Sequence, residues 1–317
     1  MTSKEIVRRT IRFEGAPRLP HDFPAMWGYD SDIFVVNMHQ SPDSRPGNGI
    51  DEWGCVWENI GISDLGEVKE FPVKEWSDFD KIAIPDITDP VHWDSIADVR
   101  KTAGDKYLLA FGISIYERVH FLRGLENTWA DIYEEQEALC NLIDILTDMN
   151  VEAIKRYAAL GVDGYIFTDD WGLQDSLMIS PAKWREIWKP RYKRIYDAAH
   201  ECGMDTFLHS CGYIVDILDD LIEVGLDVIH MDQQENMGLE LLGKRFGGRL
   251  TFFSPVDIQK TLASGDIPAI EQYCRDMKAH LAADKGGFIP RWYSDPVGAG
   301  HTEKAVCAMC DEFLRIS

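Results

Sequence analysis

Positive charge, long apolar runs and paired cysteines are all scarce in this 317-residue sequence. Lysine and arginine number 32 against 54 aspartates and glutamates, a formal net charge of −22. Binding a phosphate backbone needs a basic field, so nucleic acid is excluded as a partner. An anionic membrane surface is excluded for the same reason. No run approaches the ~20 consecutive apolar residues of a membrane span. The opening residues, MTSKEIVRRTIRFEG, lack the apolar core of a secretory signal and read as an amphipathic helix. Cys55, Cys140, Cys202, Cys211, Cys274, Cys307 and Cys310 are scattered and odd in number. That is no disulfide framework, and it points to a reducing cytoplasm. Cys307 and Cys310 have metal or redox spacing but lie inside a helical pattern without a second pair, and read as structural. No Gly-x-Gly-x-x-Gly follows an early strand, so a dinucleotide fingerprint is missing as well.

What the chain does have is apolar substance, 45% hydrophobic and 11% aromatic residues, enough for a sizeable core. Residues 3–12 read as the first helix. A stretch rich in Pro, Gly, Asp and Trp follows, roughly 14–75, irregular enough to be functional or to cover one end of a barrel. It includes the short apolar run at 34–37 and the segment Asp51-Glu52-Trp53-Gly54-Cys55-Val56-Trp57. From about residue 90 strand and helix alternate. Strands are expected at 107–113, in DGYIFT ending at Asp169-Asp170, in MDTFLH, and at 226–231, 249–255 and in GGFIPRW. Helices are expected over HWDSIADVRKTAG, 134–160, 181–200, YIVDILDDLIEVG, MGLELLGKRFG, 268–283 and 302–315. Apolar strands alternating with helices mean a parallel sheet. Six such strands, with one or two more in the first hundred residues, fit a closed (β/α)8 TIM barrel. Residues 1–317 are expected to form one domain, its first hundred residues lying over the barrel.

In such a barrel the C-terminal strand ends converge on one mouth. Here they bring Glu117 and Arg118; Asp169 and Asp170, with Trp171 and Gln174 nearby; His209 and Cys211; Asp232, Gln233 and Gln234; Asp257; and Arg291, Tyr293 and Asp295, with His301 just beyond. His209 and Cys211 are two apart, so in an extended chain both side chains leave on one face. An imidazole beside a thiol is half of a zinc site or half of a nucleophile pair. The adjacent carboxylates Asp169 and Asp170 repel, which favours a raised pKa or a bound cation. A carboxylate there can meet a substrate, move a proton or ligate metal.

Asp169-Asp170-Trp171-Gly172, Pro181-x-x-Trp184-Arg185, Lys189-Pro190-Arg191, His209-Ser210-Cys211-Gly212 and Asp220-Leu221-Ile222-Glu223, with Glu117-Arg118, resemble the uroporphyrinogen decarboxylase superfamily. The likeness is greatest to its methylcobamide:coenzyme M and corrinoid-dependent demethylating methyltransferases, and covers about 105–315. It implies a distorted (β/α)8 barrel with His209 and Cys211 as zinc ligands. Those methyltransferases take a third ligand, a cysteine, from the loop after the last strand. Here that loop reads Arg291-Trp292-Tyr293-Ser294-Asp295-Pro296 and on to His301, so Asp295 stands in, with His301 as the alternative. The Arg-rich N-terminal substrate motif of true uroporphyrinogen decarboxylases is not visible.

The resulting expectation is a cytoplasmic, zinc-dependent methyltransferase of corrinoid-linked one-carbon metabolism. It moves a methyl group between a small methylated substrate and a corrinoid-binding partner protein, as a monomer or homodimer. Asp169, Asp170 and Glu117 are the candidate catalytic groups. Arg118, Gln174, Trp171, Arg291 and Tyr293 are the candidate substrate contacts. Two alternatives stand beside it: a metal-free decarboxylase or lyase centred on the aspartates, and a non-catalytic tetrapyrrole- or corrinoid-binding protein.

Overall fold

The alternation of apolar strand and amphipathic helix folds as expected. The structure, a computed structural model, describes residues 1–39, 48–59 and 66–317. Among the described residues ten strands follow in chain order: β1 (Ile33–Asn37), β2 (Gly49–Ile50), β3 (Val56–Asn59), β4 (Gly66–Glu70), β5 (Tyr107–Phe111), β6 (Gly164–Thr168), β7 (Asp205–His209), β8 (Val228–His230), β9 (Thr251–Ser254) and β10 (Phe288–Pro290). Seven of them make one parallel sheet in the order β1-β5-β6-β7-β8-β9-β10. A single residue, Asp22, closes the circle. Its N–H donates to Pro290 O and its C=O accepts from Trp292 N–H, both at 3.0 Å, while Asp32 N–H, just before β1, donates to His21 O at 2.9 Å. The eighth position of the (β/α)8 barrel is therefore one bridge long.

Period-two alternation divides each strand between an outer face under the helices and an inner face in the barrel. Ile33, Tyr107, Leu109, Ile166, Phe207, Val228, Phe253 and Ile289 form the interior, together with Val7 and Ile11 of the first helix. That helix, Ser3–Ile11, begins with a Thr2/Glu5 capping box. It lies across the N-terminal strand ends, where Lys4 N–H donates to Asp105 O and Thr10 O accepts from Gly287 N–H. Its cations meet buried carboxylates that precede or open strands. Lys4 (2.5 Å) and Arg8 (3.3 Å) face Asp163, which Arg100 also meets at 2.9 Å from outside this helix, and Arg12 faces Asp205 at 3.1 Å.

Three local expectations are corrected. The helix expected over HWDSIADVRKTAG is two 3-10 turns and a short helix, Val99–Ala103, because Trp93 turns inward and its indole N–H is held by Ile87 O at 2.6 Å. The helix over 181–200 breaks at Trp188 into Pro181–Ile187 and Lys189–Glu201, as Pro190 disfavours a continuous turn. Within the irregular 14–75 stretch, β2, β3 and β4 form a small antiparallel sheet. Asp51 is its hub: one oxygen accepts from Trp53 N–H (3.0 Å) and Cys55 N–H (2.9 Å), the other from Trp57 Nε1 (3.0 Å) and Arg118 Nη1 (2.8 Å). Arg118 lies between the rings of Trp53 and Phe121 and ties this sheet over the mouth.

Candidate active site

The inward rows that are apolar deep in the barrel turn polar at its C-terminal end. Ile166 is followed by Thr168, Phe207 by His209, Val228 by His230 and Ile289 by Arg291, each two residues on. Register aligns them, with Thr168 opposite His209 and His209 opposite His230. The polar layer is thus fixed by strand pairing. At its centre, His209 Nε2 lies 3.4 Å from Cys211 Sγ and 3.5 Å from Asp170 Oδ1. On the other side of the ring, His209 Nδ1 is 3.0 Å from His230 Nδ1, and His230 Nε2 is 3.1 Å from Asp232 Oδ1. Two groups of metal-capable donors result, each within 4.8 Å: Asp170, His209 and Cys211, and His209, His230 and Asp232.

Asp170 reaches Cys211 because two loops touch glycine to glycine. A Cβ on Gly172 would lie 2.3 Å from Tyr213 N and 2.4 Å from Gly212 C. Gly212 itself has φ +76°, a conformation that glycine adopts without strain. Across the contact Gly172 N–H donates to Cys211 O (3.1 Å), Tyr213 N–H to Leu173 O (2.8 Å) and Cys211 N–H to Asp170 Oδ1 (2.7 Å).

Charge is crowded here. Burial pushes the Cys211 thiol well above its ordinary value, and Asp170, Asp232 and Glu117 add to the effect. Burial, then Asp170 and Asp169, pushes Glu117 up to about 8, against a stabilising 2.8 Å hydrogen bond from Thr168 Oγ1. The protonated form of Glu117 is thereby favoured in the metal-free site. Burial, with Arg291 and His209 close by, keeps His230 uncharged. A thiol and carboxylates packed around one imidazole are mutually destabilising without a cation, and a cation among them inverts that order. Donors 2.0–2.3 Å from a tetrahedral zinc are about 3.3–3.6 Å apart, which the distances around His209 Nε2 match.

Of the other expected site residues, Arg291 joins this cluster and most of the rest lie apart from it. Asp169 is fully buried, and its carboxylate accepts from Tyr116 N–H (2.8 Å), Glu117 N–H (3.2 Å) and Tyr192 Oη (2.6 Å). Burial raises it to about 7, those bonds opposing. It anchors the start of the helix Glu117–Arg123 and does not face the mouth. Trp171, expected at the substrate, is a core residue stacked on Tyr116 at 4.0 Å, its indole N–H bonded to Tyr192 Oη at 2.8 Å. Gln174 is exposed and accepts from Asn236. Asp295 accepts from Gly298 N–H in its own loop at 3.0 Å, and His301 Nε2 contacts Ile258 O at 2.8 Å. Neither Asp295 nor His301 belongs to a donor group among the described residues; the group that contains His209 and Cys211 has Asp170 as its third member. Tyr293 is partly buried beside His301. Arg291 contacts His230 Nε2 and stands over the Phe253 ring. His230 went unrecognised in the sequence because it sits inside an apolar strand. The signal was there, since His230-x-Asp232 repeats the spacing of His209-x-Cys211 one strand away.

Beside the donors opens a cavity of about 280 Å³, walled by Trp53, Phe111, Phe121, His92, Arg118, Glu117 and Thr168, among others. Thr168 is the register partner of His209, so the cavity and the donors share a wall.

The class that fold and site define is a parallel α/β barrel with a thiol–imidazole–carboxylate cluster at its C-terminal mouth. Residues 63–290 match the family model for uroporphyrinogen decarboxylase (URO-D), and the chain belongs to that family. It is 24% identical over 178 residues to the uroporphyrinogen decarboxylases of Bacillus mycoides (strain KBAB4) and Bacillus anthracis, over 54% of this chain and 50% of each relative. The match thus spans about half the length of these relatives. In fold it resembles a methyltransferase from Methanosarcina mazei, with a TM-score of 0.74, 15% identity and coverage of 100% and 99% of the two chains.

Proposed function

We propose that this protein is a zinc-dependent methyltransferase that moves a methyl group between a small methylated substrate and a corrinoid carried by a partner protein. The observation that carries the reading is the set of unlike donors around His209 Nε2, Cys211 Sγ at 3.4 Å and Asp170 Oδ1 at 3.5 Å. These three would hold the metal, in place of a set completed by Asp295. When bound, zinc supplies a Lewis acid at the mouth. The chain's own groups do the remaining work. The cavity holds the substrate between Trp53 and Phe121 and away from bulk water. Glu117, kept protonated by burial and placed by its hydrogen bond with Thr168, holds a proton for the heteroatom that the methyl group leaves. Asp169 fixes the backbone from which Glu117 projects.

Decarboxylation of a many-carboxylate substrate, the activity in the names of the Bacillus relatives, is less well supported. Such a substrate needs cations, and at this mouth Arg118 pairs with Asp51 while Arg291 lies against His230 and Asp232.

Elemental analysis of purified protein tests the metal assignment. Near-stoichiometric zinc is expected in the wild type and in Asp295→Ala, and its loss in His209→Ala, Cys211→Ala and Asp170→Ala. A wild type that takes up no zinc after incubation with it refutes the proposal.

A further inference from the structure

We propose that His230, Asp232 and Arg291 set the tautomer of His209, and so decide whether its Nε2 is available to a metal. The inference rests on the metal reading above and concerns residues outside the three donors. His209 and His230 meet through like atoms, Nδ1 to Nδ1 at 3.0 Å, with ring centroids 4.2 Å apart. A contact between two ring nitrogens needs one hydrogen and one lone pair, so the protonation patterns of the two rings are coupled.

Two arrangements satisfy the contact. In the first, His209 carries its hydrogen on Nδ1 and turns a bare Nε2 toward Cys211 and Asp170. His230 then carries its hydrogen on Nε2, where Asp232 Oδ1 accepts it at 3.1 Å. In the second, His230 Nδ1 is the donor and His230 Nε2 is bare, which suits Arg291 Nη1, in contact with that same atom. His209 then carries its hydrogen on Nε2, aimed at Asp170 and Cys211, and has no lone pair to offer there. Asp232 and Arg291 therefore compete for one nitrogen, and only the Asp232 arrangement permits ligation. Arg291 Nη1 lies 3.9 Å from Asp232 Oδ1, so a small shift of the guanidinium onto the carboxylate frees His230. Asp232 and His230 are positioning residues that favour the metal, and Arg291 opposes them.

The test is zinc affinity, read on the full-length protein by competition with a chromophoric chelator and Zn²⁺ alone. Asp232→Ala is expected to weaken zinc by about 10–100-fold, the usual cost of losing the partner that orients a ligand histidine. Arg291→Met is expected to leave zinc binding unchanged or tighten it. Both substitutions remove a polar neighbour of His230, so a merely structural role would weaken zinc in both. That result, or an unchanged affinity in Asp232→Ala, overturns the proposal. Long-range ¹H–¹⁵N spectra of the zinc-loaded wild type give a second readout that needs no variant to fold. His209 should be protonated at Nδ1, and a proton on Nε2 overturns the proposal. A wild type that binds no zinc removes the metal reading itself, and this inference with it, whereas zinc-binding wild type with an unaffected Asp232→Ala removes the relay alone.

Discussion

The glycine contact between the loops after β6 and β7 makes Gly172→Ala the most informative single substitution. The new methyl would fall 2.3–2.7 Å from Tyr213 N, Gly212 C and Cys211 O, all backbone atoms that no rotamer change can move aside. Gly172 does not itself have a left-handed φ, so alanine brings no strain of its own and the cost is steric. Relief requires the loops to part, and the hydrogen bonds nearest the glycines are then the first to be lost. The two backbone pairs, Gly172 to Cys211 and Tyr213 to Leu173, contribute about 0.5–1.5 kcal/mol each, and the charged one from Cys211 N–H to Asp170 about 1.5–3 kcal/mol. The expected loss is therefore about 2.5–6 kcal/mol, measured by urea unfolding of the metal-free protein. Parting the loops also draws Asp170 away from Cys211, so the folded variant should bind zinc more weakly. Wild-type stability together with wild-type zinc affinity would show that the contact neither braces the loops nor assembles the donors.

Three further outcomes are expected. Glu117 has its folded pKa at about 8, above the ~4.3 of a free glutamate, so its stabilising contribution is complete below ~4.3 and lost as pH rises through 8. Unfolding free energy of the metal-free wild type should fall through that window relative to Glu117→Gln, with a slope of up to about 1.4 kcal/mol per pH unit, and parallel curves would contradict the assignment. Methyl transfer should decline at alkaline pH in the wild type as Glu117 loses its proton, and Glu117→Gln should be slow at every pH. At the opposite end of the barrel, Ile11→Ala should cost about 2–5 kcal/mol in urea unfolding, because Ile11 is buried among the interior side chains. A loss under 1 kcal/mol, as for an exposed site, would mean that the first helix does not close the barrel floor.

Six strands after residue 100 and β1 before it were legible because each is a short apolar run followed by polar residues, the pattern of a parallel barrel. His209 and Cys211 were legible for the same reason: a two-residue spacing at a strand end keeps both on one face. Asp170 was visible as a carboxylate but not as the neighbour of Cys211, because that adjacency depends on Gly172 and Gly212 allowing two distant loops to touch. Asp169 and Trp171 looked like mouth residues by position. They turn inward because Asp169 supplies the acceptor that the backbone at Tyr116 and Glu117 lacks, and Trp171 fills the space beside Tyr116. Sequence order cannot distinguish a residue aimed at the mouth from its neighbour aimed at the core once the strand has ended. The sheet of β2–β4 was hidden because its strands are two to five residues long and carry little apolar alternation.

The closure of the barrel at Asp22 has a mechanical meaning. Elsewhere around the ring, neighbouring strands are laced by ladders of three to five paired residues. At the seam a single residue is held by one bond in and one bond out on the β10 side. A hoop so fastened yields at its clasp, and Arg291 is the residue bridged to Asp22 across it. Fewer backbone bonds therefore join the β10 edge to Asp22 than join β7 to β8. Arg291 thus stands at the lightly laced seam, while His209 and His230 stand on strands joined by a three-residue ladder.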